Sequence, residues 1–382
     1  MLLHTAALLA WLAAAGQGAA PPIDATVARH VERGLAAVLA LEDGAAPGEW
    51  PYEGAIRLEG AIPVGFRVGG TGFVVAALAA LPGLAQDEPR RAALGRGVTF
   101  LAHALAEEGM SSNAMAGVDL RLWGMITGAR GLLAARAAGE RGGLTEEELD
   151  RAVRDYLTRL AQLEIPRNGG WSYNRPSGRL LPSPPNSYVT ADVLQVFFEA
   201  RAQGFEVDPA AVERALALLE SQRQPTGAFL YSGTAPGDKP PTIPGSVGRM
   251  LACEVTLALA GRSDVLHVRA ALDAFLAHWS ALEERRGRTG LHKPPHDIAP
   301  YYFLYAHAQA ARAIELLPEA DRPEYRARLA EKLERVRDEE TGLWNDRVFK
   351  RSAAYGTAAA VLALSAPLLP PPAGWSPPPQ DG

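Results

Sequence analysis

The chain contains one cysteine, Cys253, so no disulfide can close within it and its stability must come from packed surface. Beyond the N-terminal segment, no stretch approaches the roughly 20 consecutive apolar residues that span a bilayer, so an integral membrane protein is not expected. Basic residues do not gather: 38 Lys and Arg are interspersed with 43 Asp and Glu, for a formal charge of -5. Without a basic stripe, nucleic acid is not an expected partner. There is also no Gly-rich phosphate loop, no Gly-x-Ser-x-Gly elbow, no His-Glu-x-x-His pair and no His/Cys finger spacing.

What remains is ordinary globular material, 382 residues of which 48% are hydrophobic and 21% charged, enough for a large core. Three regions are expected: a signal peptide over 1–20, a main domain over 21–367 and a Pro-rich tail over 368–382. The first has an apolar run from Ala6 to Ala15, then small residues up to Ala20, then Pro21 and Pro22, although no Lys or Arg precedes the run. It predicts export, to the periplasm or outside the cell.

The main domain carries an internal repeat. Gly-plus-aromatic turns recur at Gly48-Glu49-Trp50-Pro51-Tyr52, Gly169-Gly170-Trp171-Ser172-Tyr173, Thr226-Gly227-Ala228-Phe229, Thr289-Gly290-Leu291 and Thr341-Gly342-Leu343-Trp344. A second, Ala-rich helix is expected after each, from about Thr71, Tyr188, Val247, Tyr301 and Ala353. A further pair is implied by 91–107 and 120–138, with a turn at 109–113 that lacks the aromatic. The helix before a turn is amphipathic: over 208–222, Ala211, Val212, Ala215, Leu218 and Leu219 share a face. The helix after it is apolar all round, as over 353–366, which predicts burial on both sides. About six such pairs can stack and close into a ring, an all-α (α/α)6 toroid. The Pro-rich loops 175–185, 235–244 and 293–300 each precede an inner helix and should share one rim, where a ligand is expected to enter.

These turns resemble the repeats of the squalene cyclases, in which a Gln near a helix end precedes Gly-x-Trp; Gln222 leading to Gly227-Ala228-Phe229 is the nearest copy. The last repeat, Thr341-Gly342-Leu343-Trp344 followed by Tyr355-Gly356-Thr357-Ala358, is similar to secreted bacterial prenyltransferase and squalene-oxidase-repeat proteins. The resemblance, shared with protein prenyltransferase β subunits, implies the toroid and a central cavity for an isoprenoid-like ligand. The Asp-x-Asp-Asp acid of the cyclases is missing, and Leu251-Ala252-Cys253 stands where the prenyltransferases have Asp-x-Cys. Gly290-Leu291-His292-Lys293-Pro294 resembles the loop before the prenyltransferase helix that bears a zinc-binding His.

Three candidate groupings follow. Aligning the Ala-rich inner helices puts Asp192, Cys253 and His307 at equivalent positions, an oxygen, sulfur and nitrogen set of the kind that binds zinc. Asp192 and Glu254 are acids inside apolar helices and candidate general acids, as two-carboxylate glycosidases also require. On the rim, His292, His296, Asp297, Tyr301 and Tyr302 gather with Arg249 as a candidate ligand site. Asp119, Arg121 and Trp123 open the second inner helix, Asp119 as its cap and Trp123 as a ligand contact. Three functions are consistent with these residues: a toroid that binds a hydrophobic ligand, a terpenoid-cyclase or zinc-dependent prenyl-transfer enzyme, and a carbohydrate-active (α/α)6 enzyme.

Overall fold

Helix starts are set by short polar side chains. Asp24, Asp208 and Asp264 each accept hydrogen bonds from the first backbone amides of the helix they precede, and Thr145 forms a reciprocal capping box with Glu148. In the computed structural model, which describes residues 23–110, 121–165, 169–172, 184–232, 240–290 and 292–377, these starts resolve into helix pairs. The outer helices are α1 (Ala25–Ala40), α3 (Glu88–Ala104), α5 (Glu146–Gln162), α7 (Pro209–Gln222), α9 (Val265–Ala277) with its short extension α10 (Trp279–Arg285), and α12 (Arg322–Glu334). The inner helices are α2 (Val64–Ala80), α4 (Arg121–Ala137), α6 (Ser187–Ala202), α8 (Ile243–Leu259), α11 (Tyr302–Ile314) and α13 (Ser352–Ser365).

Among the inner helices, α2 packs on α4, α4 on α6, α6 on α8, α8 on α11, α11 on α13, and α13 back on α2. The ring is closed. The chain is an all-α (α/α)6 toroid, with isolated β-bridges but no strands among the described residues. No described helix is long and apolar enough to cross a membrane. Residues 1–20, where a signal peptide is expected, Asp119, Leu291, and parts of the 109–113 turn, the 175–185 and 235–244 loops and the tail lie outside the described residues.

The turns explain the repeat. Each indole reaches back to the outer helix before it: Trp50 Nε1 donates to Val38 O at 2.9 Å, Trp171 Nε1 to Leu160 O at 2.7 Å and Trp344 Nε1 to Leu333 O at 2.8 Å. The backbone amide of the same residue donates to a hydroxyl on the inner helix after it, Thr71, Thr190 or Thr357. Phe229 keeps the second half of this arrangement through Ser246. Each turn tryptophan therefore pins an outer helix to its inner partner, and all four turn aromatics fill the gap between the layers, fully buried. Gly170, Gly227 and Gly342 turn the chain with positive φ.

The first inner helix starts at Val64, seven residues before the expected Thr71. Its opening turns, Val64-Gly65-Phe66-Arg67-Val68-Gly69-Gly70, hold glycines that read as a helix breaker in isolation. In the ring they allow α2 and α4 to touch backbone to backbone. A Cβ on Gly72 would lie 2.3 Å from Thr127 O, and one on Gly124 2.7 Å from Gly65 O. Close packing outweighs propensity here. After a 3-10 turn over Ala366–Leu368 the tail runs on as extended chain, and Trp375 docks on the body: its indole stacks on Phe198 and its amide donates to Leu259 O at 2.9 Å.

Candidate functional site on the toroid axis

Side chains from inner helices that are not neighbours in the ring can meet only across its interior. Trp123 on α4 touches Tyr355 on α13, with ring centroids 5.8 Å apart. Phe73 on α2 and Tyr52 lie against both, and Phe66 completes the group through Tyr52 and Trp123. These five rings form an aromatic wall.

The opposite wall is polar and spans α6 and α11. Gln309 Nε2 donates to Asp192 Oδ1 at 2.9 Å, while Gln195 Nε2 donates to Gln309 Oε1 at 3.2 Å and to Thr256 Oγ1 at 3.0 Å. Arg312 donates to Gln195 Oε1 at 2.9 Å and pairs with Glu199, which also accepts from Arg130 Nε at 3.2 Å. Burial alone would keep Glu199 neutral, but the two guanidiniums hold its carboxyl below the usual range. Asp192 lacks so close a cation, and burial pushes it up to about 6 against the pull of Arg130 and Arg312. The side chains of Arg130 and Glu199 keep 17% of their surface and Arg312 keeps 25%, although these residues sit within the inner ring. Phe73, Trp123 and Tyr188 are likewise only partly buried. The interior of the ring is thus lined by aromatic rings on one side and by hydrogen-bonding side chains on the other.

A second buried acid adjoins the aromatic wall. Arg347 Nε donates to Tyr52 Oη at 3.0 Å, and the Tyr52 hydroxyl donates to Asp346 Oδ2 at 3.3 Å. Asp346 has no exposed surface and its Oδ1 has no hydrogen-bond partner. Burial raises this carboxyl to about 7, against the pull of Arg347. Sequence reasoning missed Asp346, yet a signal exists. Tyr52, Tyr231 and Asp346 all stand two residues after a turn aromatic (Trp50, Phe229 and Trp344), the position from which each joins an interior cluster.

Of the sequence candidates, Asp192 and Trp123 lie on the two walls, and the rim group partly assembles. His292 packs edge-on against Tyr231, Tyr301 and Tyr302, with Nδ1 at 2.7 Å from Asp297 O and Nε2 at 2.9 Å from the Tyr301 hydroxyl. Burial lowers the pKa of His292. Arg249 lies over the Tyr231 ring, 5.5 Å from its centroid. Two expected members do not join. Asp297 contributes its carbonyl while its side chain is exposed, and His296 turns to Thr242 at 3.2 Å.

The remaining candidates need correction. Glu254 is buried and tied to Arg223 at 2.6 Å and Ser263 at 2.6 Å, so its carboxylate clamps α8 to the segments on either side of it instead of standing as a free acid. Asp192, Cys253 and His307 do not form a ligand set. His307 lies two residues, some 200° of helix, from both Tyr305 and Gln309, which face inward. It points to the outer layer, where Trp279 Nε1 donates to its Nε2 at 2.9 Å and Nδ1 meets Phe303 O at 2.7 Å. Both nitrogens are committed. Among the described residues no group of three His, Cys, Asp or Glu is placed to hold a metal ion. Cys253 is buried, and burial pushes its thiol up, away from the thiolate a zinc site needs.

No protein-family model matches the sequence, and no curated protein matches it significantly. Solved structures do match in fold. A variant of the type II terpene cyclase from Scytonema, in complex with merosterolic acid A, is 15% identical with a TM-score of 0.55, covering 90% of this chain and 98% of its own. An inactive variant of an α-1,6-mannanase from Salegentibacter sp. HEL1_6, in complex with α-1,6-mannotriose, is 12% identical with a TM-score of 0.58, covering 88% and 98%. A D-mannose isomerase is 15% identical with a TM-score of 0.57, covering 91% and 99%. The chain thus has the toroid fold shared by terpene cyclases and carbohydrate-active enzymes.

Proposed function

We propose that the protein is exported and that its axial cavity binds an elongated hydrophobic, isoprenoid-like molecule. The supporting observation is the aromatic wall: Tyr52, Phe66, Phe73, Trp123 and Tyr355 form one connected cluster of edge, tilted and stacked contacts, with Phe73 and Trp123 still presenting surface. Such rings offer flat, polarizable contact to unsaturated or branched hydrocarbon. The His292–Tyr301–Tyr302 cluster at the start of α11 is where such a ligand would enter. If the protein is also a catalyst, Asp346 is the acid placed for it, being raised toward neutrality beside the aromatic wall.

A second reading rests on a different observation. Asp192 and Asp346 are both buried, burial raises both carboxyls, and both act electrostatically on Tyr355, whose hydroxyl is raised chiefly by its own burial. That arrangement suits a carbohydrate-active enzyme, with sugar rings stacked on Trp123 and Tyr355.

The deciding experiment is intrinsic fluorescence of the purified protein titrated with farnesol and, separately, with α-1,6-mannotriose. Saturable quenching by farnesol that weakens by about tenfold in Trp123→Ala supports the hydrophobic reading. Saturation by the trisaccharide alone transfers support to the second.

A further inference from the structure

The six inner helices run in one direction, since each is reached through an outer helix and its turn, so their C-terminal ends share the end of the ring opposite the rim. From Ser365, the end of α13, the chain makes its short turn over Ala366–Leu368 and runs on to Trp375. Trp375 lands on Phe198 of α6 and on the carbonyl of Leu259, the last residue of α8. In the ring α6 stands opposite α13, with α8 and α11 between them on one side and α4 and α2 on the other. Residues 369–374 therefore carry the chain across that end, from one wall of the ring to the opposite one. At the same end, Glu199 follows Phe198 in the last turn of α6, and Arg312 reaches it from the last turn of α11. Glu199 and Arg130 keep 17% of their side-chain surface and Arg312 keeps 25%.

We infer that residues 369–377 are a strap over this far end of the ring, latched by Trp375, which lets go while the toroid stays folded and so opens a second way into the interior beside Glu199 and Arg312. The latch is narrow. Trp375 holds on by its amide, 2.9 Å from Leu259 O, and by its stack on Phe198, with ring centroids 5.6 Å apart. Gly374 lies flat on the end of α8, where a Cβ would come within 3.1 Å of the same carbonyl. Around them Pro370, Pro371, Gly374, Ser376 and Pro377 are exposed. The indole nitrogen marks the difference from a permanent anchor. Trp50, Trp171, Trp279 and Trp344 each donate from Nε1, but Nε1 of Trp375 is buried with no hydrogen-bond partner. Docking strips water from that N–H and gives nothing back, so release restores a hydrogen bond that the closed strap lacks. A segment with so few buried contacts opens at a fraction of the free energy of global unfolding. The run Pro370-Pro371-Pro372 keeps the released arm extended, so little conformational freedom is lost when it closes again.

Hydrogen exchange of the full chain tests the latch, and stopped-flow fluorescence with farnesol tests the passage. The Trp375 amide should exchange about a hundredfold faster than the amides in the middle of α6 and α8, at a rate that low urea leaves unchanged, because local opening exposes little surface. In Trp375→Ala farnesol association and dissociation should both accelerate by about tenfold, with Kd and Tm close to wild type. Gly374→Ala, which crowds the latch and keeps the indole, should do the same more weakly. A second passage speeds entry and exit equally, whereas a residue that only supported the fold would move Tm, and one that touched the ligand would move Kd. Exchange of Trp375 in step with the inner helices, or farnesol rates unchanged in both variants, overturns the inference and leaves the hydrophobic reading standing. If farnesol does not bind the full chain, that reading falls and exchange alone decides: release ahead of the helices upholds the strap, and release with them overturns it.

Discussion

The indole of Trp279 donates a hydrogen bond to Nε2 of His307, and this bond selects the tautomer of the imidazole. With Nε2 accepting, Nδ1 must carry the proton and donate it to Phe303 O, so the ring is neutral and fully employed. A second proton would break the bond to Trp279 inside a box formed by Phe275, Trp279 and Phe303.

A pH dependence follows. Burial lowers His307 from 6.5 to about 4, so the stability it contributes is present above pH 6.5 and lost as pH falls toward 4. The loss is on the order of 3 kcal/mol across that window. Urea unfolding of the wild type and His307→Gln at matched pH values should show the difference between them closing as pH falls. A difference that stays constant from pH 7 to 4 would mean that the ring is not held neutral.

Asp346 has the opposite sign. Its folded pKa is raised from 3.8 to about 7, so its contribution is complete below 3.8 and disappears as pH rises through 7. Asp346→Asn should match the wild type near pH 4 and exceed it in stability above pH 7, by a few kcal/mol. The same denaturant series checks it, and a variant less stable than wild type at pH 8 contradicts the burial of an ionising carboxyl.

The turn indoles are structural. Trp171→Ala and Trp344→Ala each remove a fully buried side chain together with its hydrogen bond to the preceding outer helix, and should cost about 3–5 kcal/mol. Melting within a degree or two of wild type for both would contradict their role in joining the layers.

The seam between α2 and α4 supplies a paired test. In Gly72→Ala the new methyl would meet the Thr127 carbonyl oxygen at 2.3 Å, a backbone atom that cannot rotate away, so a loss of about 1–3 kcal/mol or more is expected. In Gly248→Ala on α8 the nearest atom is 3.5 Å off, and helix propensity should make the change neutral or favourable. Thermal melts of the two variants that moved together would show that the contact at Gly72 does not decide the outcome.

The fold was legible because its signals are local and repeated. Trp50, Trp171 and Trp344 each sit just after a glycine in the turn between two helices, and the apolar run around 353–366 announces a helix with no solvent face. The start of α2 was obscured because glycine reads as a breaker until a neighbouring helix needs its backbone. The candidate site was legible only in part. Asp192 could be recognised as an acid inside an apolar helix, but so could Glu254, and nothing local tells which of them faces inward. The zinc register failed for the same reason: Ala-rich helices align equally well at several offsets, and a shift of two residues sends His307 to the far side. Asp346 escaped because its place depends on how the chain leaves the turn, which only comparison with Tyr52 and Tyr231 reveals.

Closure of the ring has a consequence for how the molecule comes into being. Helix α13 packs on both α1 and α2, and Arg33 on α1 donates to the carbonyls of Glu339 and Glu340 just ahead of Trp344. These contacts join the two ends of the sequence, so loop-closure entropy is met late and in full. A ribosome must release almost the entire chain before the first helix pair finds its second neighbour. Until then the growing arc exposes an apolar edge at each end, which makes the nascent chain a natural client for a chaperone and a poor candidate for folding piece by piece.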